Sequence, residues 1–442
     1  MWGMAESRSS APIPRDLLPD TSVISADGRL SIGGCDVIEL AERFGTPLFV
    51  YDEAQLQARC AEAAAAFDNG VAYASKAFLC RAMARLASDE GLCIDVASHG
   101  ELHCALSAGV PAGRLVLHGN NKSVTELHAA LDAGVGRIVV DGEDELDRLA
   151  ALVSDRPVPQ PVLVRVTPGV EAHTHEFVRT GQEDTKFGVS IASGAAARLI
   201  ERVQGTEGLA LVGLHAHIGS QVFDVGSFAE AARILGSFFA PLGLEELCIG
   251  GGLGVAYVAG ESAPSITEWG RAVRAACAEV GIDPHVRITA EAGRSIVASA
   301  GITLYTVGVI KDLPGVRTYV AVDGGMSDNP RPVLYGSGYE AFLPRSVAAA
   351  RTKAVRLVGK HCESGDVLVD DARLPADLAV GDIVCTPVTG AYGYSMASTY
   401  NRVGRPAVVF VRDGAATVVL RRESLDDLEA LEPAEGTIGR VV

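Results

Sequence analysis

Short runs rich in Val, Ile and Leu alternate with alanine-rich amphipathic runs from about Thr46 to Ala300. The first kind has the length and β-branched content of strands, and the second repeats its apolar residues at helical spacing. Strand candidates end at Tyr51, Ser75, Ala97, His118, Asp141, Thr167, His217, Gly250 and Ala290, with helical spacing over residues 53–67, 76–87, 100–108 and 123–133. Strand followed by helix, repeated over this length, predicts a parallel sheet, with a (β/α)8 TIM-like barrel as the leading form. Nine candidates are one too many for that barrel. One of them, the first being the leading suspect, belongs elsewhere or is misassigned.

After Gly301 the rhythm changes. Residues 302–310, 317–322, 352–358, 382–387, 407–411 and 416–421 read as strands separated by turn residues, which predicts an all-β sandwich or small barrel. The strand-turn pattern of residues 23–34 places the N-terminal segment with this β domain. The expected organisation is therefore an α/β chain: segment 1–45 joining the β domain, a cofactor-binding barrel over 46–300, and a C-terminal β domain over 301–442. Residues 7–14 read as disordered.

A net charge of −17 argues against nucleic acid or an anionic membrane as partner, since either requires a basic face. No run of about 18 apolar residues is present, so no membrane span is expected. The first 20 residues lack the basic-then-apolar pattern of a secretory signal. Nine scattered cysteines, without a close CxxC pair, read as reduced thiols and predict a cytoplasmic protein.

Within this frame, Lys76 closes the alternating run at residues 71–76 in a chain with only six lysines. Burial there against an apolar wall would favour the neutral amine, which adds to an aldehyde; a lysine extending into solvent from a strand end is the plainer reading. Gly250-Gly251-Gly252 follows an apolar strand, where backbone N–H groups can close on an anion, although a tight turn uses glycines equally well. Glu291, near the end of the next strand, is placed to keep a pyridine nitrogen protonated, or to pair with Arg294 on the surface. His215 and His217 lie two apart and so share a strand face. They suit a ring stacked on a cofactor, packed core histidines, or, with His173 and His175, a metal; characteristic metal spacing is lacking, and no metal is expected. Cys362, beside Glu363 and Asp366, is better placed to give a proton than to attack. Arg331 and Tyr335 offer a guanidinium and a phenol suited to a carboxylate.

Taken in order, the segments at residues 73–77, 118–123, 217–221, 250–252, 291–294, 362–364 and 390–392 resemble those of diaminopimelate decarboxylases, which are fold type III pyridoxal phosphate enzymes. The resemblance runs from about Pro47 to Pro406 and departs at Ala292, where the family usually has proline. It implies pyridoxal 5'-phosphate as cofactor, decarboxylation of meso-2,6-diaminopimelate to L-lysine and CO2, and an obligate homodimer with shared active sites. By the same resemblance Lys76 holds the cofactor and His217 stacks on its ring. Ser220, Gly251, Gly252 and Tyr392 bind its phosphate, Glu291 pairs with its ring nitrogen, and Asp95 and Arg165 line its pocket. Arg294, Arg331 and Tyr335 hold the far carboxylate of the substrate, with Tyr392 close by. Cys362 and Glu363 enter from the partner subunit, the cysteine to protonate the carbanion and the glutamate to recognise the distal amino group. Among decarboxylases of this fold acting on other amino acids, an aspartate usually follows the cysteine, so Glu363 and Gln221 favour diaminopimelate.

Overall fold

The computed structural model describes residues 10–154, 156–169 and 185–433. Two compact units emerge: one comprises Leu56–Ala256 and Ser262–Val297, the other the chain up to Gln55, Tyr257–Glu261 and the chain from Ala298 onward.

The first unit is a closed barrel of eight parallel strands: Val71–Ala74, Cys93–Val96, Leu115–Leu117, Arg137–Val140, Gln160–Thr167, Leu209–His215, Glu246–Cys248 and Arg287–Ala292. Each pairs with the next, and the ring closes where Glu291 of the last strand lies opposite Ala72 of the first. A two-residue strand, Val189–Ser190, adds to the fifth outside the ring. Inward-facing Val116, Val139, Leu163 and Cys248, one each from the third, fourth, fifth and seventh strands, form a buried cluster inside the barrel. Branched side chains at alternate positions fill this space, which makes it a packed core instead of a pore. The surrounding helices start where the sequence caps them. Ser123 with Glu126 and Ser265 with Glu268 form reciprocal capping boxes for Val124–Ala133 and Ile266–Glu279. Trp269, fully buried, packs its ring 5.3 Å from that of Phe228 and 4.9 Å from that of Phe67.

One local expectation changes here, and one suspicion holds. The helix expected over 76–87 begins only at Arg81, with the Cys80 side chain capping it. Between strand and helix the chain makes a short 3-10 turn, Ser75–Ala77, and then an extended Phe78 whose carbonyl accepts a hydrogen bond from the buried Tyr73 hydroxyl. Burying the Phe78 ring breaks the helical path. The surplus ninth strand is the first candidate. Leu48–Asp52 is buried along its whole length and pairs antiparallel with Gly301–Leu313 and parallel with Ala407–Arg412, so it belongs to the other unit. The division accordingly falls after Gln55 and not at residue 46.

The second unit is built on a mostly antiparallel sheet. Its order is Val367–Leu374, Lys353–Val358, Arg317–Val322, Gly301–Leu313, Leu48–Asp52, Ala407–Arg412, Ala415–Leu420, with Ile383–Thr386 paired to the long Gly301–Leu313 strand. Val367–Leu374 was absent from the strands expected by sequence; its acidic centre, Asp370-Asp371, interrupts the apolar alternation. The N-terminal residues belong to this unit and form a small sheet of three strands, Val23–Ile24, Leu30–Ile32 and Cys35–Asp36, tied to it where the Leu30 N–H donates to the Pro344 carbonyl at 2.9 Å. Gly33 (φ 55°) must be glycine, because a Cβ there would lie 2.6 Å from the Val411 carbonyl oxygen. The expected disorder of residues 7–14 does not extend over their described part: Ile13 is buried, and Arg351 donates to the Ala11 carbonyl at 2.8 Å.

Candidate active site

In the barrel unit, the chemistry-bearing residues sit at or just beyond the C-terminal ends of the strands. Lys76 follows the first strand, Asp95 lies on the second, His118 follows the third, and Arg165 lies on the fifth. His215 ends the sixth, the glycine tract follows the seventh, and Glu291 lies on the eighth. A parallel barrel gathers these ends on one rim, which brings together residues far apart in sequence.

The centre of this set is a carboxylate between imidazoles. Glu291 Oε1 lies 2.8 Å from His215 Nε2 and 3.1 Å from His118 Nε2, and the latter is 3.3 Å from Asp95 Oδ1. Burial alone would raise the Glu291 pKa, but His215 and His118 outweigh it and hold the carboxyl well below its ordinary range. Asp95 moves the opposite way: burial, then the Glu291 charge, pushes it well above its ordinary range. Of these two carboxyls, Glu291 is held toward the charged form and Asp95 is pushed toward the neutral one. Burial pushes His118 down to about 4, and lowers His215 and His217 as well, so at neutral pH the rings are neutral. His215 therefore meets Glu291 as a neutral N–H donor.

His215 and His217 do not act together. The strand ends at His215, and His217 turns its Nδ1 to accept a hydrogen bond from the Gly251 N–H at 3.1 Å. The metal reading that joined them to His173 and His175 thus loses its pairing here, and the latter two lie outside the described residues. His118, His215 and Glu291 do place three donor atoms within 4.8 Å of one another, the same short distances that hold the carboxylate as an anion.

The glycine tract owes its composition to crowding. A Cβ at Gly251 would lie 2.0 Å from the Glu291 carbonyl oxygen, and one at Gly252 (φ 115°) 2.0 Å from that of Gly219. The tract is thereby laid directly against Glu291 and the turn carrying His217 and Ser220. Arg294 donates to Ser220 Oγ at 3.1 Å, so the residue expected at the far carboxylate of the substrate and one expected at the phosphate meet in a single hydrogen bond. Arg165 is buried 3.7 Å from Asp141 Oδ1 and stacks over the Phe187 ring at 4.4 Å.

Lys76 corrects the sequence reading in one respect: its side chain is exposed, so burial does not supply its activation. Its charge nevertheless acts on Asp95, His118 and His217. The exposed Lys76 amine thus shares the rim with an anionic carboxylate, a neutral imidazole and a glycine turn. Asp95 Oδ1, buried without a hydrogen bond, adds an unsatisfied polar atom to the same floor. This set fits a ligand with an aldehyde, a protonated ring nitrogen and an anionic arm, and pyridoxal 5'-phosphate has all three.

The remaining expected residues lie on the β unit. Arg331 is buried, with its guanidinium 4.4 Å from the centre of the Tyr257 ring and bonded to the Tyr339 hydroxyl. Tyr335 is half-buried one turn along the same short helix, Arg331–Tyr335. Tyr392 adopts a left-handed backbone, φ 60°. Cys362 and Glu363 are exposed in the loop between Lys353–Val358 and Val367–Leu374, and the Tyr400 hydroxyl donates to Glu363.

Sequence reasoning assigned no role to His118, Asp141, Cys248, Tyr257, Tyr339 or Tyr400. His118 stood inside a recognised segment; the others carried no local signal. Lys122, in that same segment, is structural. It is buried and donates to Glu145, to the Gly119 carbonyl at 2.7 Å and to the Val139 carbonyl at 2.6 Å.

A barrel rim with a lysine, a histidine-held carboxylate and a glycine turn defines a class of pyridoxal phosphate enzymes. Residues 53–298 match the model of the pyridoxal-dependent decarboxylase family, pyridoxal binding domain. Diaminopimelate decarboxylase of Mycobacterium tuberculosis is 50% identical over 425 residues, covering 92% of this chain and 95% of that protein. The enzyme of that name from Bacillus subtilis is 46% identical over 435 residues, covering 94% and 98%. The crystal structure of diaminopimelate decarboxylase from M. jannaschii in complex with L-lysine superposes with a TM-score of 0.86 at 33% identity, covering 94% of this chain and 98% of that one. The chain belongs to the diaminopimelate decarboxylase family.

Proposed function

We infer that this protein decarboxylates meso-2,6-diaminopimelate to L-lysine and CO2, the last step of lysine formation, with pyridoxal 5'-phosphate as cofactor. The observation that carries the reading is Glu291, held as an anion by His215 on the same rim as Lys76. The bound cofactor supplies an electron sink for the pair left behind when CO2 departs.

The residues divide that work. Lys76 would provide the amine that holds the cofactor. Glu291 keeps the proton on the ring nitrogen, because an ionised carboxylate in a buried site stabilises that charge strongly. His217, oriented by the Gly251 N–H, presents its neutral ring for stacking. Ser220, Gly251, Gly252 and Tyr392 take the phosphate, with Arg294 reinforcing Ser220, and Asp95 and Arg165 line the pocket. Arg331, stiffened between Tyr257 and Tyr339, grips the far carboxylate together with Tyr335 and Arg294. Glu363 meets the distal ammonium, and Cys362 returns a proton to the carbon that lost CO2. A cation and an anion at the distal end together select a substrate that carries both charges there.

Cys362 and Glu363 act, in this reading, in the site of a second copy, which makes the working form a homodimer with shared sites. A cytoplasmic location accords with the nine free cysteines, one of them, Cys362, exposed. Among the described residues no helix is long and apolar enough to cross a membrane.

The test is to measure CO2 and amine release from meso-diaminopimelate, ornithine, arginine, lysine and carboxynorspermidine. Lysine formation from meso-diaminopimelate alone is expected. Turnover of a diamine precursor with diaminopimelate inert would overturn the reading.

A further inference from the structure

An exposed glutamate that reads a substrate must first give up its rotamer freedom. Glu363 does not stand alone: its carboxylate accepts a hydrogen bond from the Tyr400 hydroxyl. That bond raises the pKa of the phenol, so Tyr400 remains a donor at neutral pH.

Tyr400 is itself held from below. Its ring lies 5.4 Å from that of His361, which is buried. His361 Nδ1 is 3.0 Å from Asn401 Oδ1 and its Nε2 is 2.8 Å from Ser327 Oγ. One neutral tautomer satisfies both, with Nδ1–H donating to Asn401 and Nε2 accepting from the serine hydroxyl. The base of the loop is fixed by buried Asp366, which accepts from the backbone N–H groups of Met326 at 2.6 Å and His361 at 2.8 Å. Ser327 and Asp366 are buried, whereas Cys362, Glu363 and Tyr400 face solvent. A rigid polar base thus supports one pre-set carboxylate at an exposed surface.

The geometry points to Tyr400 as a specificity-determining residue: it sets the Glu363 carboxylate in place to receive the distal ammonium of the substrate, and His361 positions Tyr400. This rests on the reading that Glu363 meets that ammonium. Pre-organising a binding group lowers the ordering cost only for a ligand that uses it. The benefit therefore falls on substrates with a distal amino group and not on those without one.

The test compares wild type with Tyr400→Phe, which keeps the ring over His361 and removes the hydroxyl. Both holoenzymes are assayed with meso-diaminopimelate and with aminopimelate, which keeps the reacting amino acid and far carboxylate but lacks the distal amine. For Tyr400→Phe, kcat/KM with diaminopimelate should fall about tenfold, the effect of one hydrogen bond to a charged group, and chiefly through KM. Turnover of aminopimelate should not change. Calorimetric Kd values should follow suit, weakening for L-lysine and not for ε-aminocaproate. In a Glu363→Gln background, adding Tyr400→Phe should cost much less than in wild type. Equal losses on both substrates, an unchanged ratio, or additive losses in the double variant would each overturn the assignment. Failure of the wild type to decarboxylate diaminopimelate would instead overturn the function itself.

Discussion

His215 Nε2 stands 2.8 Å from Glu291 Oε1, although the two residues are 76 positions apart. Both lie at the C-terminal ends of barrel strands, the sixth and the eighth, where the strand of the glycine tract runs between them. The contact gives Glu291 a hydrogen-bond donor in a buried place where a lone carboxylate would take up a proton. Removing the charge should leave the pocket intact and slow the chemistry. Glu291→Gln is expected to bind pyridoxal 5'-phosphate with kcat lowered by about 10²–10³-fold, as for other buried electrostatic groups. A kcat near wild type, from steady-state assays of cofactor-saturated protein, would remove the role.

The same contact sets a pH dependence. Because the Glu291 carboxyl is held below its ordinary range, it stays ionised as pH falls through the usual carboxylate region. In His215→Leu one donor to the anion is gone, so its pKa rises and protonation begins at higher pH. The acidic limb of the kcat profile should move toward neutrality relative to wild type. An unmoved limb would show that His215 does not control the carboxylate.

Lys76→Ala should abolish the visible-edge absorption band of the lysine-held cofactor and all turnover. A persistent band, read by spectrophotometry after removal of free cofactor, would refute the role given to the lysine.

Mixing Lys76→Ala with Cys362→Ala tests the shared site. In a hybrid dimer, one site can combine the intact lysine of one chain with the intact cysteine of the other, so activity should return to a fraction of wild type after subunit exchange. No recovery would place both residues in the site of one chain.

Lys122 and Glu145 form a pair with side chains 2% and 3% exposed, and Lys122 also satisfies two backbone carbonyls. Lys122→Met strands a buried carboxylate and should cost about 3–5 kcal/mol in urea unfolding. Adding Glu145→Leu should recover part of that loss. No difference between the single and double variants would mean that the charges are not coupled.

Much of the barrel was legible in the chain because helix and strand periods are local properties. The parallel barrel followed from their alternation, and the glycine tract and Glu291 from their place after late strands. The suspicion that Leu48–Asp52 lies outside the ring came from the count of strands and not from the strand itself, and this has a physical cause. A strand buried on both faces reads the same in a parallel barrel as in the middle of another sheet, and only its partners distinguish them. Lys76 failed differently. The alternation of residues 71–76 continues through the lysine, but Phe78 finds a buried site and bends the chain first, leaving the amine exposed.

The sequence by itself determined which elements form and which residue types stand at their ends, since propensity, capping and period act over a few neighbours. Which of those ends meet was decided by tertiary structure. Closure of the ring set His118 and His215 around one oxygen of Glu291 and turned His217 away from His215 toward Gly251. Folding of the β unit brought Tyr257 and Tyr339 around Arg331. Hydrogen bonds and charge shifts depend on distances of a few ångströms between residues far apart in the chain, and those distances exist only after the strands have paired.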